Sequence, residues 1–167
     1  ETLGVVVEEA RLDFGEDGLS VRVVDPSHVA MIKMDVDSAA FETWEVDETK
    51  LGLEMRKMHQ FLSVAGAGDM VELAYNDESG QATIHIGRID LNLRPLDNST
   101  LNPPNVPSLE LPCGVTIGGS ELAQALRAAK LVGDLVNLSL TEDTFTVNVQ
   151  GSTDSVNLDF TKDDLHA

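Results

Sequence analysis

The sequence predicts an α+β chain built mainly from short antiparallel strands, arranged as two similar units with one amphipathic helix in each. Three observations carry this. Apolar residues alternate with polar ones over most of the chain, the period-two pattern of strands with one buried face. Two segments instead space their apolar residues three and four apart, as one face of a helix does. A stretch rich in proline and asparagine separates two halves that share a short repeated motif.

Taken in order, Ala10, Leu12 and Phe14 alternate with Arg11 and Asp13. Gly15-Glu16-Asp17-Gly18 breaks the run, and Leu19, Val21 and Val23 resume it, which predicts a hairpin. Ile32, Met34 and Val36 predict a third strand, and residues 41–46 a short fourth. Leu51, Met55, Met58, Leu62 and Ala65 predict a helix over 51–65, ended by Gly66 and Gly68. Further strands are expected at Val71/Leu73/Tyr75, at Ile84/Ile86 and at Ile89/Leu91/Leu93. Residues 97–107 hold three prolines and three asparagines, which suits neither a central strand nor a helix interior. The expected organisation is a first domain over 1–96, a connector over 97–110 and a second domain from 111 to 167. In the second, Leu122, Ala125, Leu126 and Ala129 predict a helix, with Ser120 as N-cap and Gly133 as stop. Phe145/Val147/Val149 and Val156/Leu158/Phe160 predict strands. Gly68-Asp69-Met70-Val71-Glu72-Leu73 matches Gly133-Asp134-Leu135-Val136-Asn137-Leu138, so a helix feeds a strand in both halves.

Charge narrows the function classes. The 29 acidic residues exceed the 11 basic ones, for a net charge of −18. Such a surface repels nucleic acid unless its few cations are concentrated, and it also suits a solvated surface in high salt. Residues 51–65 and 121–133 hold four of the 11 basic residues and two of the 29 acids, leaving seven bases against 27 acids elsewhere. Arg56, Gln60 and Ser63 fall opposite the apolar stripe of the first helix. Gln124 and Arg127 fall opposite that of the second, with Lys130 on the flank. An acid-free polar face can meet phosphates without reading bases, although any amphipathic helix has a polar face.

Enzyme chemistry finds little footing. Gly118-Gly119-Ser120 before a helix could cradle a phosphate but lacks a P-loop or dinucleotide pattern, and reads more simply as a cap. Asp35 and Asp37 lack the glycine and terminal glutamate of a calcium loop. His28, His59, His85 and His166 are scattered, without the spacing of a metal pair. No catalytic residue, metal site or cofactor is expected. The one cysteine, Cys113, excludes an internal disulfide, and no apolar run approaches the roughly 20 residues of a membrane span. A cytoplasmic chain is expected.

Asp25-Pro26-Ser27-His28-Val29, following the strand at 19–24, resembles the D-x-S-H-V segment of sliding clamps of the proliferating cell nuclear antigen type. Residues 51–53 through 65–66 resemble that family's second helix with its Ala-Gly ending, and 69–75 the strand after it. Pro107-Ser108-Leu109-Glu110-Leu111-Pro112 resembles the end of the interdomain connector in archaeal members. The resemblance runs over essentially the whole chain. It implies the DNA-clamp fold, two similar domains of antiparallel sheet with helices on the inner face, in a trimeric ring around duplex DNA. It also implies that a strand and most of a first helix precede Glu1, and that the second domain continues beyond Ala167.

On this resemblance the chain is a non-enzymatic polymerase processivity factor, nucleoid-associated. Short peptides of polymerase, clamp loader, nuclease and ligase would dock on it. The implied DNA-facing residues are Arg56, Lys57, Gln60, Ser63, Arg127 and Lys130. The implied peptide groove holds Val24, His28, Val29, Met31, Val106 and Leu109; the other reading of His28 is a partly buried histidine holding a loop. The implied subunit seam uses the edges Ile89, Leu91, Leu93 and Val156, Leu158, Phe160, which could equally be interior strands. The alternative is an acidic peptide-binding adaptor of clamp fold that does not encircle DNA.

Overall fold

The computed structural model describes residues 1–164, so His166 lies outside the described residues. The chain divides into two compact units, Glu1–Pro107 and Ser108–Ala167.

The first unit opens with a short helix α1 (Thr2–Val6), then β1 (Glu9–Gly15) and β2 (Gly18–Val24), joined by a two-residue turn. Gly18 takes φ +137°, and a Cβ there would stand 2.1 Å from the Val36 carbonyl oxygen, so the turn needs glycine. β3 (Met31–Asp37), β4 (Thr49–Glu54), helix α2 (Met55–Leu62), β5 (Val71–Asn76), β6 (Gln81–Ile86) and β7 (Ile89–Leu93) follow. They form an antiparallel sheet in the order β3-β2-β1-β4 and a second in the order β5-β6-β7. Ala10, Val21, Val23, Leu51 and Leu53 from the first sheet meet Ala82, Ile84, Ile86 and Leu93 from the second in one core, closed by Met55 of α2.

The second unit holds α3 (Gly119–Lys130), β8 (Asn137–Leu140), β9 (Thr144–Gln150) and β10 (Ser155–Thr161), with sheet order β10-β9-β8. Ala125 and Ala129 are both 0% exposed; with no side chain beyond Cβ they bring α3 close to the sheet. Ala125, Phe145 and Val147 form the core, with Ile117, Leu140, Leu158 and Phe160 around them. In each unit a helix precedes a three-stranded antiparallel meander.

Five local expectations need correction. Residues 41–46 are not a strand. A 3-10 turn at Ser38–Ala40 precedes them, and Phe41 packs on Trp44 at 4.6 Å between ring centroids. The Trp44 indole N–H donates to the Gly15 carbonyl at 3.0 Å, so aromatic contacts and one side-chain hydrogen bond, not strand pairing, order this loop. The first helix starts at Met55 rather than 51, because Leu51 and Leu53 alternate into the core as β4. Its buried stripe is Met55, Met58, Phe61 and then Ala65, while Leu62 is 44% exposed. In α3 the stripe runs through Leu122, Ala125 and Ala129, and Leu126 points away. Finally, Gly118 is the N-cap residue of α3, with Ser120 inside the first turn, and the helix ends at Lys130, before Gly133.

Candidate functional site

The helix faces come first. With Met55, Met58 and Phe61 turned to the core, the 100° step per residue sets Arg56 and Gln60 on the opposite side of α2. Lys57 lies on the flank, its ammonium 5.8 Å from the Phe61 ring centroid, a cation–π contact. Ser63 is the C-cap residue. Its hydroxyl donates to the Gln60 carbonyl at 2.7 Å, so it tidies the helix end rather than standing free. In α3, Gln124 and Arg127 lie opposite the buried alanines and Lys130 on the flank. Arg127 and Lys130 occupy the last turn, where cations complement the helix dipole. Among the described residues Arg56, Lys57, Arg127 and Lys130 make no ion pair within 4 Å. One cation escaped the sequence reading: Arg94 shares a small recess with Glu54 and Lys57, brought there by the fold.

The loop between β2 and β3 is built on one carboxylate. Asp25 accepts backbone N–H bonds from Ser27 at 2.9 Å, Val29 at 2.7 Å and Ala30 at 2.6 Å. Its own N–H donates to the Ala30 carbonyl and its carbonyl accepts from His28, both at 2.9 Å. The Ala30 N–H foremost, with Ser27 and Val29 adding, holds the Asp25 carboxyl below the usual carboxylate range; desolvation opposes them. His28 takes φ 57°, and its side chain is exposed with no hydrogen bond among the described residues. The reading of His28 as a satisfied, partly buried histidine does not hold for its side chain, and it shapes the turn through its backbone instead. The result is that Val29 stands 86% exposed, beside exposed Met31 and half-buried Val24. Val106 is also exposed, in the first unit; exposed Leu109 belongs to the second.

Both strands expected at a seam are sheet edges, β7 next to β6 alone and β10 next to β9 alone among the described residues. Neither is an interior strand among the described residues. Side chains differ along them. Ile89 is exposed and Leu91 partly buried, whereas Leu93 faces the core and can offer only its backbone. Val156, Leu158 and Phe160 are half-buried, with Phe160 stacked on Phe145 at 6.0 Å. Among the described residues, no three His, Cys, Asp or Glu side chains are grouped to hold a metal ion, and no helix is long and apolar enough to cross a membrane.

A model of the N-terminal domain of proliferating cell nuclear antigen matches residues 1–91. The DNA polymerase sliding clamp of Methanococcoides burtonii is 36% identical over 166 residues, covering 99% of this chain and 68% of that one. The chain belongs to the proliferating cell nuclear antigen family. Another sliding clamp, from Haloarcula marismortui, is 33% identical over 168 residues, with 99% of this chain and 68% of that one covered. Among solved structures, A. fulgidus PCNA with the C-terminal region of FEN-1 bound matches with a TM-score of 0.91. Its identity is 30%, and the match covers 98% of this chain and 67% of that one. PCNA from Thermococcus kodakaraensis, at 24% identity and a TM-score of 0.82 over 98% of this chain and 68% of that one, shares the fold. The α+β architecture is thus the DNA-clamp fold, in a sliding-clamp chain that spans about two thirds of the length of these relatives.

Proposed function

We propose that this chain serves as a DNA polymerase sliding clamp: a trimeric ring that encircles duplex DNA and tethers replication and repair proteins to it. The observation that carries the reading is the likeness to DNA polymerase sliding clamps over 99% of the chain. The physical logic is topological. A closed ring stays on DNA because it cannot leave sideways, so its phosphate contacts can be few and blind to sequence. Arg56, Lys57, Gln60, Arg127 and Lys130 would supply those contacts from helix faces poor in acid, with Ser63 beside them, its hydroxyl engaged by the Gln60 carbonyl. The remaining acid, part of a net charge of −18, would keep DNA off other surfaces. Near 1 M salt the screening length is about 3 Å; phosphate contacts weaken there, whereas topological linkage does not.

In this reading Val24, Val29, Met31 and Val106, with His28 shaping the turn and Leu109 beyond, seat short partner peptides of polymerase, clamp loader, nuclease and ligase. The bound FEN-1 segment of the A. fulgidus relative supports a nuclease among them. The edges β7 and β10 would pair between subunits through backbone groups. The clamp would perform no chemistry of its own, and would work in the cytoplasm with the nucleoid.

The test is retention of the intact protein, after loading, on circular DNA and on the same DNA linearised. A clamp stays on the circle and runs off free ends. Equal loss from both, with peptide binding intact, would instead identify an acidic adaptor of clamp fold.

A further inference from the structure

The outward face of the first sheet carries a row of cations that the helix-face argument does not use. Val21 and Val23 enter the core, so strand alternation turns Arg22 to the opposite face. Arg22 stands directly across from Lys33, and the register that pairs Leu12 with Val21 sets Arg11 beside Arg22 on its other side. Like charges in adjacent cross-strand positions repel, and two of the three are neutralised locally. Arg11 grips Asp13 through Nε and Nη2 at 2.7 and 2.9 Å, and Lys33 meets Asp35 at 2.8 Å. Arg22, between them and half-buried, has no ion pair or hydrogen bond among the described residues.

The segment after β7 roofs Arg11 and Arg22 of this row. Leu96 bridges to Gly52 of β4, its N–H donating to the Gly52 carbonyl at 2.8 Å. From there residues 100–104 pass over β1 and β2, leaving a groove of about 140 Å3. Arg11, Arg22, Val24, Pro103 and Pro104 line it, and Glu9 contributes its acid. Val24 is also the first residue of the apolar wall assigned above to partner peptides. The groove therefore shares Val24 with that seat and holds an unpaired guanidinium, in a chain otherwise dominated by negative charge.

We propose that Arg22 receives a carboxylate side chain of the docked partner peptide, held under residues 100–104 while the peptide's apolar anchors occupy the Val24–Val29–Met31 wall. The inference rests on the reading of that wall as a peptide seat. A guanidinium presents paired N–H donors that match both oxygens of a carboxylate, and an acid there completes the charge pattern that Asp13 and Asp35 begin on either side. Glu9 limits the preference to a single acid, because a second would meet like charge.

The experiment uses the intact protein and a fluorescein-labelled peptide carrying the C-terminal sequence of an archaeal FEN-1 nuclease. Each residue flanking the apolar anchors is replaced, one at a time, by Asp or by Ala. One position should bind about tenfold tighter with Asp than with Ala at low salt, the scale of a charge-assisted hydrogen bond. That ratio should fall to near one in Arg22→Gln and be partly kept in Arg22→Lys. A scan in which no Asp/Ala ratio depends on Arg22 overturns the proposal. So does a uniform loss at every position in Arg22→Gln, which would make Arg22 a structural support. Val29→Asp separates the two layers: it should weaken all peptides alike, and if it weakens none, the seat itself is misplaced and the proposal falls with it.

Discussion

Replacing Gly52 with Ala should loosen the segment that follows β7 while sparing both sheets of the first unit. A Cβ on Gly52 would lie 2.6 Å from Leu101 Cδ1, 3.0 Å from the Leu96 carbonyl oxygen and 3.1 Å from Leu96 Cβ. Carbon atoms sit comfortably at roughly 3.5–4.0 Å, so Leu101 must retreat by about 1 Å. The Leu96 oxygen has less room, because Leu96 is held by its 2.8 Å bond to the Gly52 carbonyl. Full burial of a leucine stabilises by about 1.5–3 kcal/mol; Leu101 is half-buried, so its displacement costs about 1 kcal/mol. Overpacking adds about 1–3 kcal/mol where backbone must shift. Against this, alanine in a strand interior is favoured over glycine by about 0.5–1 kcal/mol. The net expectation is a destabilisation of about 1–3.5 kcal/mol. Urea unfolding followed by the single tryptophan, Trp44, reads the first unit, and hydrogen exchange at the Leu96 N–H reads the bridge. An unchanged or raised midpoint, with Leu96 protection intact, would show that the segment yields freely and that Gly52 is not its docking point.

Three further outcomes are expected. Arg127→Glu should shorten retention on circular DNA while leaving peptide affinity unchanged; equal loss of both would mean misfolding and remove Arg127 from the DNA-facing surface. Ile84 is fully buried at the centre of the second sheet of the first unit, so Ile84→Ala should cost about 2–5 kcal/mol in urea unfolding, and a cost under about 1 kcal/mol would contradict the packing described. The folded Asp25 carboxyl sits below its ordinary value, so its contribution to order in the β2–β3 loop is complete above about pH 4 and lost as pH falls through the lowered pKa. Amide signals of Val29 and Ala30 should therefore move in acid below the range of ordinary carboxylates, and a midpoint at or above that range would refute the three-bond cradle.

Strands with one buried face were legible in the sequence, because the two-residue period of Ala10/Leu12/Phe14, Leu19/Val21/Val23 and Phe145/Val147/Val149 belongs to the chain itself. So were the polar sides of α2 and α3 that carry Arg56 and Arg127, since burying any part of the apolar stripe turns them outward. The family, too, was legible in the ordered series of short segments. The start of α2 was not. Leu51 lies four residues before Met55 and two before Leu53, so it satisfies both periods, and pairing of β4 with β1 decides for the strand. Phe61 replaces Leu62 in the buried stripe for a similar reason: the helix begins only at Met55, and its rotation follows the sheets it packs on. Local spacing also misread residues 41–46, where Trp44 is ordered by Phe14, Phe41 and the distant Gly15 carbonyl. Arg22 shows the limit most plainly. Its outward direction follows from Val21 and Val23, but its neighbours Arg11 and Lys33, the roof of residues 100–104 and the lack of a carboxylate partner arise from strand register and chain crossing. Periodicity along a chain says which way a side chain points; only tertiary pairing says what it meets there.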